Sequence, residues 1–204
     1  MLYWEKRGDG TKWKVEPHVK IPKKWTDFLH VSENKKELFN FLAVQVTTCP
    51  LYNQVYAMYD TKVLSNTATS SMPECTHEEA DTRLVVHMMF ALQEGNRSIL
   101  IRTVDTDVVV ILLGKYSDIL STYPDAEIWI RFGTETSLQN IHLRSVYEKL
   151  GVDMSKGLPF FHSFTGCDTV SSFKGKAKKS AWLTWKSFTT ATDVFKSLNA
   201  KSLY

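Results

Sequence analysis

The sequence predicts an α/β fold with a largely parallel central sheet flanked by helices, and three observations carry that expectation. First, Ser98 to Thr103, Val108 to Leu113 and Ala126 to Phe132 are short apolar runs rich in β-branched residues, the pattern of strands buried on both faces. Second, Thr76 and Glu79 form a capping-box pair ahead of apolar residues at helical spacing, and Gly95 stands where such a helix would stop. Third, Asp105 and Asp107 follow directly on the first apolar run, at the carboxyl edge where ligands of open α/β sheets gather.

Bulk properties narrow the class. A chain of 204 residues with 43% hydrophobic content and 12% aromatics can bury a sizeable core. There is no apolar run of about 18 residues, and Met1 to Arg7 lacks the apolar segment of a signal peptide, so the sequence indicates neither membrane nor secretion. Cys49, Cys75 and Cys167 are an odd number without CxxC spacing, which argues for a reducing, intracellular compartment and against a disulfide framework or a zinc site. The net charge of +3 is unevenly spread, because five lysines and no acid lie between Asp168 and Asp193.

Taken in order, residues 1 to 31 form a lead-in segment, with Lys20 to Trp25 extended. Residues 32 to 170 read as the α/β core and residues 171 to 204 as a basic, partly helical segment. Leu38, Phe39, Phe41 and Leu42 give Ser32 to Val46 helical spacing, and Val55 to Leu64 reads as a hairpin turning at Asp60-Thr61. The helix opened by Thr76 runs to Glu94. Three buried strands follow, over 98 to 103, 108 to 113 and 126 to 132. Ile141 to Leu150 predicts a helix ended by Gly151, and Ser171 to Phe188 is helical in part.

Three clusters of acid need partners in these apolar surroundings. At 100° per residue Asp81 falls on the stripe of Ala80, Leu84, Met88 and Leu92, with Glu78 at its edge, so Asp81 points inward. Its partner is a cation or an arginine such as Arg102. Glu78 suits either a ligand or an acid favoured by the helix dipole, and Glu79 suits a cap and a surface pair with Arg83. If the chain stays extended through Asp105-Thr106-Asp107, both carboxylates leave one face and share a site, the alternative being a turn or N-cap role. Thr165-Gly166-Cys167-Asp168-Thr169 reads as a tight turn into a helix, with Asp168 as its cap or as a further ligand. Converging carboxylates of this kind hold hard divalent cations. His77, His87 and His162 make no zinc motif, since HExxH would require a histidine where Asp81 stands, and His162 reads as a core or capping residue with catalysis as the alternative. Trp182 and Trp185 read as core.

An acid-bearing helix, DxD after a buried strand, then Gly166-Cys167-Asp168 leading into Phe173-Lys174-Gly175-Lys176-Ala177-Lys178-Lys179, resembles the PIN-like nucleases and specifically their flap-endonuclease branch. More narrowly, the Glu78 to Arg83, Asp105 to Asp107 and Thr165 to Thr169 signatures resemble transposon-associated animal proteins. The resemblance covers about residues 20 to 185. It implies a metal-dependent phosphodiesterase in which Glu78, Asp81, Asp105, Asp107 and Asp168 hold two Mg²⁺ or Mn²⁺ ions, with Asp81, Asp105, Asp107 and Asp168 as the catalytic acids. It further implies that Lys174, Lys176, Lys178 and Lys179 grip nucleic acid, DNA by preference, through its phosphates and without reading sequence. The alternative for these lysines is a solvated basic face. DNA as substrate would place the protein in the nucleus.

The chain departs from that branch near its N-terminus, where no apolar strand before Trp25 carries the two further acids the family places there. Asp9 lies in polar surroundings, so the sheet is expected to lack its N-terminal strand and the site part of its acid. Gly175-Lys176-Ala177-Lys178 also lacks the second glycine of the family's DNA-binding hairpin. Two rival readings therefore stand beside the nuclease: a nucleic-acid-binding module without catalysis, and a fragment that does not fold stably without the missing strand.

Overall fold

The computed structural model describes residues 11–50, 53–67, 72, 80–167 and 170–201. The chain divides into two compact units, residues 1–78 and 79–204, so the boundary falls inside the stretch that the sequence assigns to one core.

In the first unit, helices α1 (Trp25–His30) and α2 (Ser32–Thr48) precede a hairpin of β1 (Tyr56–Tyr59) and β2 (Lys62–Ser65). Asn34 of α2, fully buried, ties that helix to α1 and to the segment before it. Its amide nitrogen donates to the carbonyls of Thr11 (3.0 Å) and Phe28 (3.2 Å), and its carbonyl accepts from Trp13 N–H (2.8 Å). Residues 20–24 are free of helix, in keeping with an extended lead-in, while Trp25–His30 at its end form α1, and Thr11 and Trp13 are fastened to α2. The hairpin turns at Asp60-Thr61 as predicted, with Asp60 at a φ of 52° that aspartate tolerates. Phe39 and Leu42, half of the apolar set that predicts α2, are exposed on it.

The second unit holds α3 (Ala80–Gln93), β3 (Ser98–Thr103), α4 (Thr106–Thr122), β4 (Glu127–Phe132), β5 (Gln139–His142), α5 (Leu143–Leu150), α6 (Val152–Phe164), α7 (Lys178–Ser187) and α8 (Ala191–Lys201). Gly95 ends α3 as expected. Its N–H reaches Leu92 O and that of Asn96 reaches Ala91 O, a paired closure that needs the left-handed φ of 92° at Gly95.

Val108 to Leu113 is helix and not strand. Asp105 caps α4, and Val108, Leu112, Tyr116 and Ile119 are buried at intervals of four, four and three residues, so the apolar run is one stripe of a longer helix. The sheet is accordingly small and mixed. β3 and β4 pair in parallel across the α4 crossover, while β4 and β5 pair antiparallel, giving the order β3-β4-β5. This corrects the largely parallel sheet. The polar Gln139 and Asn140 gave no strand signal, yet Gly133, with a φ of 101°, allows a turn so close that an added Cβ would lie 2.6 Å from Ser137 O. Ile141 and His142, read as the start of a helix, belong to β5, and α5 begins at Leu143.

The strands are buried on one face only. Ile101, Ile128 and Ile130 pack with Met88, Leu92, Leu112, Tyr116 and Leu143, whereas Leu100 is 62% and Trp129 39% exposed on the other face. Those two apolar residues are what made the runs look continuous. α6 crosses α4 where Gly114 meets Pro159, and Phe161 of α6 stacks on Trp185 at 4.7 Å. Trp185 is core, as predicted, with its indole N–H donating to Thr192 Oγ1 (2.9 Å). Among the described residues no helix is long and apolar enough to cross a membrane.

Candidate metal centre

Three of the predicted acids meet. Asp81 lies in the first turn of α3, Asp105 is the N-cap of α4 and Asp107 lies in its first turn. Each is half-buried, and each offers a carboxylate oxygen within 4.8 Å of the other two. The strand end places the pair: Asp105 N–H donates to Thr103 Oγ1 (3.0 Å), and Asp105 Oδ1 accepts from Asp107 N–H (2.9 Å). The two acids are therefore not neighbours on an extended face. They converge because an N-cap side chain folds back over the first turn of its own helix. Capping and clustering, posed as alternatives by the sequence, occur together.

Asp107 has a further partner. His162, in α6 and with a side chain only 14% exposed, places Nε2 at 2.8 Å from Asp107 Oδ1, and Lys178 Nζ lies 3.2 Å from His162 Nδ1. An ammonium can only donate, so Nδ1 accepts and the Nε2–H donates to Asp107. Neither link was visible in the sequence. The usable signal was helical spacing across 152 to 164, which Gly157 and Pro159 disguised; as helix, that stretch turns Phe161 inward and carries His162 beside it.

The basic segment divides. Lys174, Lys176 and Lys179 are exposed, and Lys178 is half-buried against His162. Thr106, Asp107, His162, Ser171, Ser172 and Lys178 line a polar cleft of about 390 Å³ beside the acids. Glu78, Glu79 and Asp168 lie outside the described residues. Among the described residues on either side of it, Gly166 and Cys167 follow α6 and no helix begins between Val170 and Ala177. Thr165 caps α6, Cys167 and Val170 exchange backbone hydrogen bonds (3.0 and 3.2 Å), and α7 begins only at Lys178. Cys49 is an exposed free thiol, and Cys167 is half-buried.

The donor set fits a hard cation. It is oxygen only, three carboxylates with no thiolate or imidazole in the cluster among the described residues. Carboxylates this close repel one another, and a cation between them removes the repulsion. No protein-family model, curated protein or solved structure matches the chain.

Proposed function

We propose that residues 79–204 form a PIN-like domain that hydrolyses phosphodiesters in nucleic acid with Mg²⁺ or Mn²⁺. The observation that carries this reading is the convergence of Asp81, Asp105 and Asp107 within 4.8 Å, at the carboxyl end of a parallel strand and next to a cleft that contains Lys178. The three acids would hold the cation, with Asp168 as a further ligand. When bound, such a cation supplies Lewis acidity toward a phosphoryl oxygen and lowers the pKa of water. Lys178 would contact the phosphate in the cleft. Lys174, Lys176 and Lys179, exposed on the approach to α7, would take neighbouring phosphates by charge alone, which gives affinity without sequence preference. DNA is the favoured substrate and the nucleus its compartment.

The test is cleavage of 5′-flap and single-stranded DNA in Mn²⁺ by the purified chain and by Asp105→Asn. Asparagine caps a helix as well as aspartate does, so this variant keeps α4 and removes only the charge. Cleavage should fall by about 100-fold or more, on the order of 3 kcal/mol of barrier. Equal rates in the two proteins would sink the catalytic reading.

The three exposed lysines favour one rival, a nucleic-acid-binding module without catalysis. That rival requires DNA binding that weakens with salt and is the same in EDTA as in Mn²⁺.

A further inference from the structure

We propose that His162 is a positioning residue for the cation site, fixing the Asp107 carboxylate and linking it to Lys178; this rests on the reading of Asp81, Asp105 and Asp107 as ligands. Asp107 stands in the first turn of α4, where its side chain could rotate toward solvent or toward the other acids. The His162 bond at 2.8 Å removes that freedom, because swinging the side chain about Cα–Cβ carries the carboxylate away from the imidazole. The imidazole is itself fixed at its other nitrogen. Lys178 Nζ, 3.2 Å from Nδ1, admits only the tautomer that carries hydrogen on Nε2, the one able to donate to Asp107.

Both ends rest on α7. His162 follows Phe161, which stacks on Trp185 of α7, and Lys178 is the first residue of that helix. An exposed surface pair would be worth little, but a chain of two bonds through a side chain 14% exposed sets geometry. The chain also joins two functions. Lys178 lines the polar cleft with Ser171 and Ser172, so the group that would meet a phosphate is one histidine away from the group that would hold the cation. Partners that orient a ligating carboxylate ordinarily matter about 10- to 100-fold in metal affinity.

Mn²⁺ binding, measured on the whole chain by calorimetry and by the loss of the free-ion paramagnetic resonance signal, tests this without any substrate. His162→Phe keeps a flat ring in the packed position and removes both bonds, so Mn²⁺ affinity should fall by about 10- to 100-fold. His162→Gln, whose amide can donate to Asp107, should restore most of it. Lys178→Met should weaken binding less than His162→Phe does. Nitrogen-detected spectra of the His162 ring should show hydrogen on Nε2 in the unsubstituted chain and a changed Nδ1 resonance in Lys178→Met. Should His162→Phe fail to fold, as judged by its melting curve, the Gln and Met variants and the ring spectra decide the matter. Affinity unchanged in His162→Phe but lost in Asp105→Asn overturns the role of His162 and leaves the cation site standing. No Mn²⁺ binding by the unsubstituted chain overturns both.

Discussion

Asp105 has two uses: Oδ1 caps α4 through the Asp107 N–H, and a carboxylate oxygen lies within 4.8 Å of those of Asp81 and Asp107. A sequence states that an acid sits before a helix but not which of these uses it serves, because both demand the same residue at the same place. The acids of the site were nonetheless legible, since Asp81 falls on a helical stripe and Asp105 on a strand end. His162 was not, because its role arises from contact with residues 55 and 16 positions away. Another histidine bears a prediction of its own. Burial, together with the nearby Arg83 charge, holds the His87 imidazole below its ordinary pKa. Above about pH 6.5 both folded and unfolded chains carry His87 neutral, and no penalty arises. As pH falls below that value the unfolded chain takes up the proton more readily, so stability declines with acidification through this window. Melting temperatures between about pH 5 and pH 7.5 should therefore drop toward acid, and His87→Gln, neutral throughout, should flatten part of that slope. An unchanged slope in the variant would remove His87 as its source.

Elements were legible where local chemistry and tertiary packing agree. β3 and β4 appear within a residue or two of their expected bounds and α3 ends one residue before Glu94, because Gly95 and β-branched runs specify these bounds locally; the expected cap at Thr76 lies outside the described residues. α4 was misread because its first six apolar residues satisfy a strand pattern, and only the continuation to Tyr116 and Ile119 discloses the helical period. α6 was missed because Gly157 and Pro159 are poor helix formers, yet both are explained by packing. Proline at 159 has no N–H to give Ser155 O, and its ring lies against Gly114, where an added Cβ would approach Pro159 Cγ to 2.5 Å. Gly114→Ala sets two effects against each other. Helix propensity favours alanine by about 1 kcal/mol, and overpacking against the rigid proline ring costs about 1–3 kcal/mol. The net expectation is a loss of stability, read as a lower urea midpoint at unchanged slope. A higher midpoint would mean that α4 and α6 part easily, and that the crossing does not hold α6 and its His162 in register. Trp185→Ala should cost more, about 3–5 kcal/mol, since it empties the junction of α6, α7 and α8 and strands the Thr192 hydroxyl.

At the scale of the molecule, the α/β class was readable but the sheet and the division of the chain were not. A small mixed sheet with one covered face presents the same apolar strands as a large parallel one when residues such as Leu100 and Trp129 occupy its open side. The boundary at residue 78 left no compositional mark, because both units mix charged and apolar residues alike. It has a consequence for the site. Asp81, Asp105, Asp107, His162 and Lys178 all belong to the second unit, as does the buried cluster of Met88, Leu92, Leu112, Tyr116, Ile128 and Leu143 that supports them. A fragment of residues 76–204, which keeps Thr76 and Glu79, the capping pair expected from the sequence, and the candidate ligand Glu78, should therefore melt in one cooperative transition and bind Mn²⁺ within about twofold of the whole chain. Residues 1–78 would then be free to serve a separate end. A fragment that melts without cooperativity, or whose Mn²⁺ affinity falls by about tenfold, a difference of about 1.4 kcal/mol, would show instead that the first unit supports the acids. Glu78→Gln in the whole chain separates the two ways this can fail, since weaker binding in that variant assigns the loss to a ligand at the boundary and unchanged binding assigns it to the fold.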